Sequence, residues 1–341
     1  MKRNLRNWIL FGLVLTLTVF ALLAFYPRAY DVAAFPPRPG TQYWELPTGS
    51  RIGYTRLVAS DTTRFSPIIY LHGGPGGCIS DLAITALAPL TDDGYDLYFY
   101  DQIGSGHSAR LADIAEYTVE RHSKDLEAIV KQIGASKVIL IGQSWGAILA
   151  MQFFAAFPAQ VEKLILTGPG PILPIRKELA EIPAPDSLHL RNPLVTNREG
   201  NLKVANLRSK VVEWWAFAFQ SKLAGDAEMD AFNAKLNHAL NKSTVCDTAN
   251  ALPGSMGGGY YASIMTVHSF ANVQDQRTKL KGNKVPLLLL QGQCDNQPWG
   301  YAQEYLELFP NAKLKLIPSA GHSIPTEQPD LYIQAIREFL R

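Results

Sequence analysis

The chain has 341 residues, 47% of them hydrophobic and 18% charged, with a formal net charge of +2. That is enough to bury a large core and to carry a second lobe or lid. A charge so close to balance excludes a basic nucleic-acid footprint. The three cysteines, Cys78, Cys246 and Cys294, exclude a disulfide scaffold and leave two readings open, one bridge or three free thiols. The seven histidines show no metal-ligand spacing, so the sequence calls for no metal and no cofactor.

In chain order, the first feature is Trp8 to Tyr26, an uncharged apolar run of 19 residues behind Lys2, Arg3 and Arg6. Its length suits a hydrocarbon core of about 30 Å. The basic flank predicts a cytoplasmic N-terminus and an exported remainder. Residues 1–28 are therefore expected to form a membrane anchor, with a cleaved signal peptide or a buried soluble helix as alternatives. Pro36, Pro37 and Pro39 mark residues 29–40 as a stiff spacer.

Tyr43 to Leu46 and Arg51 to Leu57 flank a Pro-Thr-Gly-Ser turn and predict an opening hairpin. Pro67 to Leu71 and Asp96 to Tyr100 are short apolar strands, followed by His72-Gly73-Gly74-Pro75-Gly76-Gly77 and Asp101-Gln102-Ile103-Gly104-Ser105-Gly106. Val119 to Ile133 has helical spacing and stops at Gly134. Val138 onward is a strand, and Ala147 to Phe154 a helix. Val161 to Leu166 is a further strand. Strands alternating with helices predict a mostly parallel sheet covered on both faces.

The rhythm breaks between Pro171 and Asn283, where helices are expected near Glu178 to Glu181 and over Leu202 to Leu223, Glu228 to Leu240 and Tyr260 to Phe270. It resumes with a strand at Val285 to Leu290, a helix at Trp299 to Leu308, a strand at Lys313 to Ile317 and a helix at Pro329 to Leu340. The expected organisation is a core in two parts, residues 41–171 and 284–341, interrupted by a helical cap at 172–283.

The chemistry centres on Gly142-Gln143-Ser144-Trp145-Gly146, a G-x-S-x-G between a strand and a helix. In that context the serine sits on a sharp turn with its hydroxyl exposed above the sheet edge. A serine hydroxyl needs a base, and the base needs an orienting carboxylate. Asp295 and His322 each follow a predicted strand, at the sheet edge where ligands collect. A helix N-cap is the structural alternative for Asp295. The oxyanion of an acyl-transfer intermediate needs two backbone donors. One is expected from Trp145 and the other from Gly73 or Gly74. A phosphate-binding reading of that glycine loop fails, because neither G-x-G-x-x-G nor a following G-K-[ST] is present.

The order Ser144, Asp295, His322 is that of α/β hydrolases. Together with HGGPGG at His72 to Gly77, DQIGSG at Asp101 to Gly106 and GQSWG at Gly142 to Gly146, it resembles the proline iminopeptidase family of that fold. The likeness covers roughly Thr41 to Gly170 and Val285 to Arg341. It implies an α/β-hydrolase fold with a helical cap, and removal of N-terminal residues, often proline, from peptides. Two positions depart from the family pattern: Ile103 replaces an arginine and Gln143 a glycine. The family's cap supplies glutamates that hold the substrate amine. Glu213 resembles one of them, whereas Met265 stands where another is expected.

The sequence therefore predicts a serine hydrolase with peptide, amide or ester substrates and a substrate wall of Glu213, Trp214, Trp215, Tyr260 and Met265. A membrane-associated carboxylesterase or amidase is the alternative, and a non-catalytic scaffold would require a missing triad member. Nucleic acid is not an expected partner, and oligomeric state is left open.

Overall fold

In a computed structural model of the chain, residues 2–62, 65–254 and 256–341 are described, the side chains of residues 2–4 excepted. Eight strands form one sheet: β1 (Gln42–Glu45), β2 (Arg51–Leu57), β3 (Ile68–Leu71), β4 (Leu97–Tyr100), β5 (Val138–Gln143), β6 (Val161–Thr167), β7 (Leu287–Cys294) and β8 (Ala312–Gly321). Their spatial order is β1-β2-β4-β3-β5-β6-β7-β8. The β1–β2 and β2–β4 pairs are antiparallel, and every later pair is parallel. Strand order reverses between β3 and β5, which is where an open α/β sheet leaves a crevice at its carboxyl edge.

Period-two alternation along the strands divides the core into two layers. Ile69, Leu71, Leu140 and Leu289 face one layer, and Ile68, Tyr70, Ile141 and Leu290 face the other. The α-helices are α1 (Lys2–Phe25), α2 (Asp81–Leu87), α3 (Val119–Ile133), α4 (Trp145–Ala156), α5 (Asn197–Val204), α6 (Leu207–Phe219), α7 (Asp226–Leu240), α8 (Tyr260–Ser269), α9 (Arg277–Leu280), α10 (Trp299–Leu308), α11 (Ile324–Glu327) and α12 (Pro329–Leu340). Residues of α3, α4 and α10 pack in the first layer, and those of α2 and α12 in the second. The sheet covered on both faces and the inserted helical cap are as the sequence predicts. Helix α2, capped by the Ser80 side chain, carries too short an apolar pattern to be predicted.

The single helix expected over Leu202 to Leu223 is two. Asn206 adopts extended backbone and accepts from the Ser209 amide, while Ser209 Oγ accepts from the Asn206 amide. That capping box starts a new helix where apolar spacing alone would continue the old one. Gln220, in the left-handed region, then ends α6 before Leu223. Both strands that carry the late candidate residues run further than their apolar cores, to Cys294 and Gly321.

Leu5–Phe25 of α1 is 21 residues long and apolar enough to cross a membrane. Its end is tied to the cap. Arg208 on α6 donates to the Ala24 and Phe25 carbonyls, 3.2 Å each, and pairs with Glu228 on α7 at 2.7 Å. Residues 29–40, expected as a spacer, run across the body. Tyr30 meets the Phe232 ring, Phe35 stacks on His107, and Arg38 bonds the Ile79 carbonyl and pairs with Asp81. Cys246 in the cap is disulfide-bonded to Cys294 at the end of β7, with Cα atoms 5.3 Å apart, and Cys78 is free.

Candidate active site

The elbow at Ser144 is built by close approach of strand and helix. A Cβ on Gly142 would lie 2.5 Å from the Gly146 carbonyl oxygen, and one on Gly146 would lie 2.0 Å from that of Leu71. Only glycine fits at either position. Ser144 itself holds φ 54° and ψ −116°, a conformation unusual for any side-chain-bearing residue. Its amide donates to the Thr167 carbonyl at 2.9 Å, and its carbonyl accepts from Ala147 at 2.9 Å. These bonds hold the turn so that the side chain stands at the mouth of the crevice.

Sheet register brings the other two candidates together. β7 and β8 pair Cys294 with Gly321, so the next residues, Asp295 and His322, emerge side by side. His322 Nδ1 is 2.8 Å from Asp295 Oδ1. Asp295 Oδ1 also accepts from the Gln297 amide at 2.9 Å, whereas its buried Oδ2 has no partner among the described residues. Ser144 and His322 line one cleft of about 360 Å³ between sheet edge and cap. The pairing of Asp295 with the imidazole leaves Nε2 as the nitrogen that can serve a hydroxyl.

The glycine loop forms the opposite wall. A Cβ on Gly73 would lie 3.9 Å from Ser144 Oγ. No acceptor is found among the described residues for the amides of Gly73, Gly74 or Trp145. Trp145 is the first residue of α4, where helix geometry leaves amides free. The arrangement therefore offers donors from two directions beside one hydroxyl, which is what an oxyanion requires.

Three residues quoted only as part of a motif, His72, Asp101 and Gln102, hold this wall. Gln102 receives the Trp145 indole N–H at 2.7 Å, donates its side-chain amide to the His72 carbonyl at 3.0 Å, and donates its backbone N–H to His72 Nε2 at 2.9 Å. It thus joins the glycine loop to the elbow. The imidazole of His72 is neutral, its pKa pushed down by burial, and its Nδ1–H donates to the Gly73 carbonyl at 2.8 Å. Asp101 accepts from the amides of Ile79 at 2.8 Å and His107 at 2.9 Å, which ties the loop after β3 to the loop after β4. No spacing rule points to such buried bonds. The two departures from the family pattern are placed differently: Ile103 is buried in the core, and Gln143 accepts from the Tyr70 hydroxyl at 2.7 Å.

The five residues expected as a substrate wall are elsewhere. Val212 and Ala216 turn inward from α6, so Trp214 faces outward and is 60% exposed. Trp215 Nε1 donates to Ser221, and Glu213 pairs with Lys210 at 2.9 Å. Tyr260 and Met265 are buried in the cap interior. None of the five lines the cleft. The remaining cap acids do not reach it either: Glu228 is engaged by Arg208, and Glu199 caps α5. The roof is instead supplied largely by amides of α7, with Ser263 of α8 beside them. A larger open groove of about 520 Å³ runs beside α3 and residues 269–279 and holds none of the candidate catalytic groups.

A sequence profile of the alpha/beta hydrolase fold matches residues 66–329. The chain is 25% identical over 279 residues to a proline iminopeptidase of Saccharolobus solfataricus, covering 80% of this chain and 84% of that one. It is 27% identical over 304 residues to a Bacillus subtilis chain described as a 2-succinyl-6-hydroxy-2,4-cyclohexadiene-1-carboxylate synthase, covering 85% and 99%. Among solved structures, an esterase from Exiguobacterium antarcticum superposes with a TM-score of 0.59 at 17% identity, over 88% of this chain and 98% of its own.

Proposed function

Because this chain belongs to the alpha/beta hydrolase fold family, we propose that it is a serine hydrolase that cleaves carboxylic ester or amide bonds through an acyl-enzyme. The observation that carries the reading is the β7–β8 register, which sets His322 2.8 Å from Asp295 in the cleft that holds Ser144. In the first half-reaction Ser144 Oγ bonds to the substrate carbonyl carbon as His322 Nε2 takes its proton. The oxyanion is held by the amides of Trp145 and of Gly73 or Gly74. Collapse breaks the bond to the alcohol or amine, which leaves with the proton from His322. Water then repeats the sequence and frees the acid. Asp295 keeps the imidazole in the correct tautomer and balances its charge when protonated.

A fluorophosphonate probe is expected to label the wild-type protein and not Ser144→Ala. Labelling that survives the substitution overturns the assignment. A second reading, removal of N-terminal residues from peptides, is favoured by the similarity to proline iminopeptidases. Against it stands a cleft with no cap carboxylate to meet an ammonium, which is costly to bury unpaired. Rates on Pro-β-naphthylamide, its N-acetyl form and p-nitrophenyl butyrate separate the two. Strict dependence on a free amine would establish the peptidase, and turnover of blocked or ester substrates the broader hydrolase.

The catalytic body works outside the cytoplasm, held at the membrane by α1. Support comes from the 21-residue apolar segment and the basic residues before it. Protease added to intact spheroplasts is expected to digest the body. Full protection would contradict this topology, and a soluble mature form beginning after Tyr26 would indicate cleavage instead.

A further inference from the structure

Helix α7 carries Asn233 and Asn237, with Asn241 as its C-cap. Spaced at i, i+4 and i+8, the three lie on one face. All three line the cleft that contains Ser144 and His322. Asn197, Asn296 and Gln297 also line it, but these three are tied up with one another. Ser243 Oγ donates to Asn197 Oδ1 and accepts from Asn296 Nδ2, and Gln297 Nε2 donates to Asn296 Oδ1. Asn241 Nδ2 is likewise bound, to the Leu252 carbonyl.

Asn233 and Asn237 differ. Neither side-chain amide has a hydrogen-bond partner among the described residues, and Asn233 is only 5% exposed. Both amides line the open cleft, where an entering group can meet them. Only glycine lets the neighbouring backbone come this close to the two amides. A Cβ on Gly258 would lie 2.5 Å from Asn233 Nδ2 and 3.1 Å from Asn237 Nδ2.

We propose that Asn233 and Asn237 form the specificity subsite of this cleft and receive an uncharged, hydroxyl- or carboxamide-bearing part of the substrate. This rests on the serine-hydrolase reading above. The chemistry follows from the amide group, which donates through Nδ2 and accepts through Oδ1. Two such groups side by side match a hydroxyl or a carboxamide, each of which also donates and accepts. An ammonium offers donors only and would leave both Nδ2 groups unmet. An alkyl chain would leave all four positions unmet, and a site built for hydrogen bonds discriminates strongly against that.

Two matched ester series test this on the full-length protein. One varies the alcohol: ethyl butyrate, glycerol monobutyrate and butyrylcholine. The other varies the acid: p-nitrophenyl butyrate and p-nitrophenyl 3-hydroxybutyrate. In at least one series the hydroxylated ester should be preferred by about 10-fold or more in kcat/KM. That ratio should fall to about one in Asn233→Leu/Asn237→Leu. Asn233→Asp keeps the shape and adds a charge, so it should shift preference toward butyrylcholine. No preference in either series, a preference for the cationic ester in the wild type, or a ratio that survives both variants would overturn the subsite. Failure of the underlying reading looks different: no ester is then turned over and no fluorophosphonate label is taken up.

Discussion

The floor and the roof of the cleft are built on opposite plans. In the floor, Gln102 and His72 are buried, and their polar groups are matched to backbone or to the Trp145 indole. In the roof, Asn233 and Asn237 line the cleft with side-chain amides that have no hydrogen-bond partner among the described residues. A fully satisfied network is rigid and specifies one geometry. An open pair of amides specifies instead what can enter. On the reading proposed above, bond-breaking and selectivity fall to separate layers, so each should be open to disturbance without the other.

The largest expected effect is on the floor. Ser144→Ala should cut turnover of p-nitrophenyl butyrate by about 10,000-fold or more, with the urea midpoint little changed. Next comes the covalent link between the layers. The Cys246–Cys294 bridge closes a span of 48 residues, so Cys246→Ser should lower unfolding stability by about 2–4 kcal/mol in urea titrations. An equal midpoint with and without reductant would show that the cap is held by packing alone.

Gln102→Leu sharpens the comparison within the floor. It unpairs the Trp145 indole and the His72 carbonyl, and should lower kcat by roughly 10- to 100-fold while KM moves little. A change confined to KM would mean that the glutamine serves the roof.

The smallest effect is on stability. His122 on α3 is buried, bonds Thr266 through Nε2 at 3.0 Å, and meets the Trp145 ring edge-on. Burial pushes its pKa down to about 3. The unfolded chain takes up this proton near pH 6.5 and the native chain does not. Stability is therefore full above that value and falls as pH drops toward 3, by roughly 1 kcal/mol per pH unit. His72 acts in the same direction. The buried carboxyls of Asp125 and Asp230, raised by burial, act oppositely at lower pH. Urea midpoints at pH 7.5 and 5.5 should differ less in His122→Asn than in the wild type.

The floor was legible in the sequence because its parts are local. Gly142 to Gly146, Asp295 and His322 each follow a strand whose apolar run can be read directly, and parallel pairing then delivers them to one edge. The roof was not legible, because its orientation depends on which face of each cap helix turns inward. On α6 the apolar aromatics pointed to a pocket wall, yet Arg208, Val212 and Ala216 take the inner face. On α7 nothing local in the sequence says that the face carrying the asparagines is covered. Gln102 was visible as a motif letter, but its three bonds reach residues 30 and 43 positions away.

The grip of Arg208 on the last carbonyls of α1 has a practical consequence for anyone preparing this protein. The guanidinium is nearly sealed from solvent, with its side chain 3% exposed. A truncated chain that begins after Tyr26 deletes more than a greasy handle. It strips two acceptors from a cation in the roof, beside the Glu228 that shares α7 with the asparagines. Such a version would be the easy one to purify and the wrong one in which to test the proposed subsite, because the laboratory trim falls on the same lobe that carries it.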